Sequence, residues 1–156
     1  MQLEYFRMVD RIVHLSPGDR VIRAEARVPE ASPVFEGHFP GHPILPGVLM
    51  IETMAQTGGW LILALGRFAS MAFLAQVKEA KMRSFVSPGA LLETKATLLH
   101  DGSGYAVAKG RITSGGKPVA DAEIVFRTMP FPKPELREMM VATARRIGFP
   151  EELIAA

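Results

Sequence analysis

A segment rich in proline and glycine, followed at once by a long apolar stretch, constrains this chain more than any other feature. Residues 29–47 read PEASPVFEGHFPGHPILPG, and residues 47–66 read GVLMIETMAQTGGWLILALG. Proline fixes φ and lacks a backbone N–H, so the first segment is expected to be a loop rather than a helix interior or a central strand. The second segment is apolar on nearly every side of a helix, which predicts a helix that is buried on every side.

The apolar stretch is better explained by a core helix than by a membrane span. Four polar residues interrupt it: Glu52, Thr53, Gln56 and Thr57. Its uninterrupted apolar run, residues 60–65, is far shorter than the roughly 18 residues that a span requires. We therefore expect no insertion into a membrane. The first residues, MQLEYFRMVDR, carry acids and no apolar run of signal-peptide length, so we expect a cytoplasmic protein.

Alternating apolar and polar residues predict an antiparallel sheet around the helix. In residues 20–28 the apolar side chains fall on one face and the charged ones on the other, which is typical of a half-buried strand. Strand-like runs follow at residues 70–81, 91–100, 105–113 and 119–127, and turn sequences such as DGSG separate them. A final helix is predicted over residues 135–147. The outline is α+β, with one long helix and five or six strands.

Length and composition limit the organisation of the chain and its chemistry. A chain of 156 residues suits one domain, which we expect over residues 1–128, with residues 129–156 as a helical extension rather than a second domain. The formal net charge of +2 is too balanced to predict a nucleic acid as the main partner. The absence of cysteine excludes disulfides and thiolate chemistry. Four histidines occur without an HExxH-like pair, and we expect no metal site.

Three groups with catalytic potential lie close together in the sequence where the loop meets the helix. His38 is a candidate base, and Gly47 begins the helix, where unpaired N–H groups and the positive dipole end favour an anion. Glu52 lies within the apolar helix, where a carboxylate is costly unless it is paired or functional. Together they suit proton abstraction next to a carbonyl. Each also has an ordinary explanation, as a surface histidine, a paired glutamate and a routine helix start.

The segment GHFPGHPILPGVLMIETMAQTGG closely resembles the signature of the FabZ-type 3-hydroxyacyl-acyl carrier protein dehydratases, a hotdog-fold family. The family pattern H-F-P-G-x-P-x-x-P-G-V-x-x-x-E-x-x-A-Q is matched at every fixed position. Shorter similarities at residues 9–11, 77–83 and 86–89 extend the resemblance to roughly residues 5–127. The chain departs from the family in two places. The family's H-R-x-P-F stretch is not matched by MQLEYFRM, and residues 129–156 extend past the usual last strand.

The resemblance implies a hotdog fold, in which a strongly bent antiparallel sheet wraps a long central helix. It also implies a homodimer, or a trimer of such dimers, with two active sites at the dimer interface. By motif match His38 takes the role of the catalytic base, and Glu52 that of the catalytic carboxylate reaching in from the partner subunit. Gly47 would donate its N–H to the thioester carbonyl. The other candidate substrate-binding residues are Phe39, Val48, Met54 and Gln56.

The implied reaction is the dehydration of 3-hydroxyacyl-acyl carrier protein to trans-2-enoyl-acyl carrier protein in fatty acid or lipid biosynthesis. It is catalysed by a hydro-lyase that needs no metal and no redox cofactor. Glu rather than Asp at position 52 favours dehydration without the isomerisation of related enzymes. Two alternatives stay open. One is a non-catalytic hotdog protein that binds acyl thioesters, and the other is a hydratase or dehydratase that acts on CoA thioesters.

The implied partner is an acyl carrier protein, which is acidic. A local excess of basic residues would attract it, and these residues are Arg67, Lys78, Lys81 and Arg83. A solvated strand face explains the same charges. The acyl chain needs a tunnel, whose candidate lining residues are Met50, Met54, Trp60, Phe73 and Phe85. Gly58 and Gly59 each cost about 1 kcal/mol in a helix, which indicates close approach of a backbone or a ligand chain, or a packing notch.

Overall fold

Six antiparallel strands form one sheet in the order β1-β2-β4-β5-β6-β3. They are β1 Arg11–Ser16, β2 Val21–Arg27, β3 Ser70–Met82, β4 Leu91–Gly102, β5 Tyr105–Ser114 and β6 Lys117–Pro130. The helices are α1 Pro33–Gly37, α2 Gly47–Leu65 and α3 Pro134–Arg146, with short 3-10 helices at Leu3–Tyr5 and Glu151–Leu153. The computed structural model describes residues 1–154. The last two residues of the predicted C-terminal extension, 155 and 156, lie outside the described residues.

The long helix α2 is the centre of the fold, as its apolar sequence predicts. It contacts β2, β3, β4, β5 and β6. By length and composition α2 could also cross a membrane, but 67% of its most apolar 18-residue window is buried inside the protein. The helix begins directly after Pro46 and ends directly before Gly66, two residues that favour helix boundaries. The predicted α+β arrangement of a sheet packed around a long helix is therefore present.

Small residues on the inner face of the sheet allow α2 to lie close to it. The buried inner positions include Ala24, Ala96, Ala108 and Ala122. At Gly110 of β5, a Cβ atom would come within 2.8 Å of the Met54 Cβ. At Gly58 of α2, a Cβ atom would come within 3.1 Å of the Phe126 ring. Gly58 is therefore a packing notch, whereas Gly59 faces open space with no atom within 4 Å of its Cβ position.

The predicted strands are present within a few residues of their expected bounds, but one strand has no clear signal in the sequence. β1 pairs with β2 through a register shift between Ile12 and His14. The shift leaves Val13 with 45% of its surface exposed, so apolar and polar residues do not alternate along β1. The periodicity that reveals the other strands is absent here, because a bulge breaks it.

The expectation of an unbroken loop over residues 29–47 is wrong at α1. This short helix begins at Pro33, and the side-chain oxygen of Ser32 accepts a hydrogen bond from Val34 N–H at 3.2 Å. Proline at the first helical position loses no hydrogen bond, because that N–H has no partner within the helix. The proline rule excludes a helix interior only, and Pro33 is at a helix start.

The C-terminal helix α3 packs onto the main fold. Its apolar stripe is buried, as at Ala144 with 0% of its surface exposed and at Ile147 with 3%. The Ile147 carbonyl accepts a hydrogen bond from Ile12 N–H at 2.8 Å. Just past the helix, the Phe149 ring packs edge-on against Trp60 and Phe68, with centroid distances of 6.1 and 5.2 Å. The extension therefore shares the core that α2 and the sheet form.

The close contact of α2 with β5 gives a test of this packing. We expect Gly110→Ala to lower the free energy of unfolding by about 1–3 kcal/mol, because the new methyl group overlaps Met54 at its Cβ. Gly59→Ala is the matched control, since its methyl group enters open space. It should raise the free energy of unfolding by about 0.5–1 kcal/mol. Chemical denaturation measures both changes, and equal effects of the two substitutions would contradict the packing described.

Candidate active site

The loop that carries His38 is held in one conformation by its own backbone. Phe39 and His42 exchange two backbone hydrogen bonds of 3.1 and 2.9 Å. Ile44 N–H donates to the His38 carbonyl at 3.1 Å, and Leu45 N–H donates to the Val86 carbonyl at 2.8 Å. The prolines of the segment further restrict the backbone. His38 is therefore presented by a rigid loop that is tied to the segment after β3.

Within residues 1–154, the His38 ring has one nitrogen engaged in a hydrogen bond and the other without a partner. Its Nδ1 lies 3.0 Å from the Ile44 carbonyl oxygen. A carbonyl oxygen can only accept, so this contact assigns the proton of the neutral ring to Nδ1. Nε2 then has an unshared electron pair and can take up a proton. The Phe39 ring stacks on the imidazole at a centroid distance of 4.3 Å and limits its rotation.

The start of α2 offers two unpaired backbone donors close to His38. Within the described chain the N–H groups of Gly47 and Val48 make no hydrogen bond, and no side chain caps the helix. The cavity next to them, the His38 cavity, has a volume of about 500 Å³. It is lined by His38, Phe39, Ile44, Leu45, Gly47, Met50, Met82, Arg83, Ser84 and Phe85. A base and a site for a developing oxyanion therefore share one cavity.

An ion pair lies at the edge of the His38 cavity. Arg83 Nε donates to Asp121 Oδ2 at 2.5 Å. The Asp121 carboxylate accepts this charge-assisted hydrogen bond and is also attracted by the Arg83 charge, so its pKa lies below its usual value. The contact joins β6 to the residue that follows β3 and holds the guanidinium at the cavity rim.

Glu52 lies on α2 and faces a different cavity, the Glu52 cavity, of about 340 Å³. Gln56, one turn further along, donates from Nε2 to Glu52 Oε1 at 2.9 Å. The same Nε2 donates to the Phe6 carbonyl at 2.6 Å, and Gln56 Oε1 accepts from Met8 N–H at 3.1 Å. Gln56 therefore fixes the orientation of Glu52 against the N-terminal segment.

The two candidate catalytic side chains do not meet within one chain, because His38 and Glu52 line different cavities. Of the candidate substrate-binding residues, Gly47 and Phe39 line the His38 cavity, and Gln56 lines the Glu52 cavity. Val48 has 70% of its surface exposed beside the helix start.

Several other candidate residues lie at positions that the sequence alone does not predict. Met54 is in the core with 1% of its surface exposed and lines neither cavity. Among the tunnel candidates, Phe85 lines the His38 cavity and Trp60 the Glu52 cavity, whereas Phe73 lines neither. Sequence reasoning missed the residues of α3 that line the Glu52 cavity. Their apolar stripe was visible, but no pattern along the chain indicates which surface it covers.

The described residues offer no metal centre. Across residues 1–154, no group of three or more His, Asp or Glu side chains is close enough to hold a metal ion.

Comparison with known proteins adds independent findings. A profile described as the FabA-like domain matches residues 1–123. The chain is 42% identical over 121 residues to the 3-hydroxyacyl-[acyl-carrier-protein] dehydratase FabZ of Latilactobacillus sakei. This alignment covers 76% of this chain and 85% of the relative.

Solved structures support the fold. The dehydratase heterocomplex ApeI:P from Xenorhabdus doucetiae matches with a TM-score of 0.65 and 19% identity, covering 86% of this chain and 90% of that one. A hypothetical thioesterase with coenzyme A from Streptococcus pneumoniae matches with a TM-score of 0.62 and 16% identity. This match covers 79% of this chain and 88% of the thioesterase chain. At these identities the likeness concerns the fold alone, and it confirms the α+β hotdog architecture.

The Arg83–Asp121 pair gives a pH-dependent prediction. We expect Asp121→Asn to lower the melting temperature slightly near neutral pH, because the ion pair is partly exposed and solvent screens it. The pKa of Asp121 is lower in the folded state than in the unfolded state, so its contribution is present above the unfolded value of about 3.9 and is lost as the pH falls through the folded value. Thermal unfolding of the native protein and of Asp121→Asn, measured across this pH range, should show the difference between their melting temperatures shrink in acid. A difference that grows in acid would contradict the assignment.

Proposed function

Because the chain belongs to the FabA-like domain family, we propose that it is a 3-hydroxyacyl-[acyl-carrier-protein] dehydratase. It is a hydro-lyase that removes water from the 3-hydroxyacyl thioester and forms the trans-2-enoyl thioester in fatty acid biosynthesis. The observation that carries the proposal for its mechanism is the shared cavity of His38 and Gly47. There the free Nε2 of a fixed imidazole lies beside the unpaired N–H groups of a helix start.

His38 is the base in this proposal. The thioester carbonyl accepts a hydrogen bond from Gly47 N–H, and the positive end of α2 stabilises the negative charge that develops on this oxygen. The polarised carbonyl acidifies the proton on C2, and His38 Nε2 takes that proton. The electron pair of the broken C2–H bond then forms the double bond between C2 and C3.

Glu52 of the partner subunit is the acid in this proposal. Its protonated carboxyl gives its proton, directly or through a water molecule, to the C3 hydroxyl as the C3–O bond breaks, so that water leaves. The proton held by His38 afterwards returns to Glu52, and both groups regain their starting states. The separation of His38 and Glu52 into different cavities of one chain supports a site that two chains share.

A homodimer follows from that shared site, and a trimer of dimers is part of the same proposal. Two exposed apolar side chains near the His38 cavity support a covering partner, since Val48 is 70% exposed and Phe85 is 84% exposed. We propose that Phe39 and Val48 contact the thioester arm. Gln56 acts through Glu52, whose carboxylate it orients, and Met54 supports α2 from the core.

The protein partner in this proposal is an acyl carrier protein, and the enzyme acts in the cytoplasm. Lys78, Lys81, Arg67 and Arg83 are all exposed, and Arg83 lies at the rim of the His38 cavity. Such a basic surface beside the entrance attracts an acidic carrier and orients its thioester towards His38.

Replacing the acid–base pair tests the mechanism. We expect His38→Ala and Glu52→Gln each to lower kcat/KM by about 100-fold or more, because each removes one proton-transfer group. The assay follows enoyl product by mass on 3-hydroxyacyl-carrier-protein thioesters. His42→Ala is the matched control, because His42 lies in the same loop but lines neither cavity, and it should stay within about threefold of the native enzyme. Native-like turnover in either of the first two variants would disprove the role given to that residue.

Mixing the two inactive variants tests the shared site. In a dimer of His38→Ala with Glu52→Gln, one site carries both substitutions and the other carries neither. Equal amounts that exchange subunits freely should therefore recover about a quarter of the native activity. Two different affinity tags confirm that mixed dimers have formed. Mixed dimers without recovered activity would mean that each site takes both residues from one chain.

A further inference from the structure

We propose that α3 forms the end wall of the acyl-chain site and thereby sets which substrate chain lengths the enzyme accepts. This inference rests on the proposed function, because it takes Glu52 as the group that faces C3 of the substrate. It concerns a part of the chain outside residues 1–123, to which the FabA-like domain profile is matched.

The first observation is that the Glu52 cavity extends along α2 away from the carboxylate. Glu52, Gln56, Gly59 and Leu63 all line it and are spaced by three or four residues, so they lie on one face of the helix. The eleven steps along the chain from Glu52 to Leu63 correspond to about 16 Å along the helix axis. The cavity is therefore elongated, with a carboxylate near one end and apolar side chains further along.

The second observation is that other elements of the same chain enclose this face. β3 contributes Met71 and Leu74, α3 contributes Met140 and Thr143, and Ile147 follows directly after α3. Most residues of the lining are apolar, and the volume of about 340 Å³ lies in the range of about 300–1,000 Å³ found for small-molecule sites. Gly59 widens the cavity at mid-length, because nothing lies within 4 Å of its Cβ position.

The occupant follows from the position of Glu52. If Glu52 faces C3, the carbons beyond C3 lie on the Glu52 side of the reacting atoms. These carbons form an apolar tail, and burial of each methylene group in an apolar cavity is favourable. The Glu52 cavity contains this carboxylate in its lining and is otherwise mostly apolar, as an acyl tail requires. We therefore assign the acyl tail to it, with α3 as its end wall.

The third observation is that α3 is firmly attached. Arg137 Nε donates to the Phe68 carbonyl at 3.0 Å near the start of the helix. Beyond its end, Phe149 is 5% exposed and packs on Trp60, which itself lines the cavity. A wall that is attached at both ends resists displacement by a longer chain, so it discriminates between chain lengths.

Two neighbouring methionines on α3 provide the test. Met140 lines the Glu52 cavity, whereas Met139 is 66% exposed and lines neither cavity. We expect Met140→Trp to lower kcat/KM at least about tenfold on the longest accepted 3-hydroxyacyl-carrier-protein thioesters, because it fills space that the tail needs. Its activity on the shortest should stay within about twofold, and Met139→Trp should leave the whole chain-length profile unchanged.

Met140→Ala, which enlarges the cavity, covers the case in which the tryptophan variant fails to fold. It should shift the preference towards longer chains. Melting temperature and oligomeric state are measured for every variant. An equal loss on all chain lengths, or an unchanged profile in both Met140 variants, would overturn the inference while leaving the dehydratase function intact. Failure of the native enzyme on every chain length would instead overturn the proposed function.

Discussion

The close approach of α2 to the sheet is the contact on which the rest of the structure depends. Gly110 leaves no space between β5 and Met54, and alanines occupy the neighbouring inner positions. This contact determines where the helix starts and which of its faces turns away from the sheet. The start carries the N–H groups of Gly47 and Val48 beside the His38 cavity, and a half-buried face carries Glu52 and Gln56. The groups of the proposed active site are therefore positioned by apolar packing rather than by a charged network.

Two short hydrogen-bonded systems then orient the polar groups that the packing has brought into place. The His38 ring is fixed by a main-chain carbonyl within its own loop, and Glu52 is fixed by the amide of Gln56. Each uses partners only a few residues away in sequence. Such local bonds give a defined orientation to a polar side chain at the margin of an apolar core, where an unsatisfied group would be costly.

Much of this arrangement can be predicted from the sequence, because it depends on local patterns. The apolar run of α2 and the alternation in residues 105–113 and 119–127 specify the central helix and the strands that pack on it. The motif around His38 and Glu52 identifies the family. What the sequence does not reveal are contacts between distant segments, such as Gln56 with the backbone of Phe6 and Met8. Backbone atoms have no residue-type signal, and the bulge in β1 hides its periodicity.

The attachment of Gln56 to the N-terminal segment has a consequence for how this enzyme loses activity on heating. Two of the three partners of its amide belong to residues 6–8, which lie outside the helices and strands of the main fold. The same segment also places Leu3 and Met8 in the core, where they are 1% and 0% exposed, so it does not open without loss of core packing. With Glu52 as the proposed acid, its set direction and the core packing are therefore lost together on heating, and activity falls with global unfolding rather than before it.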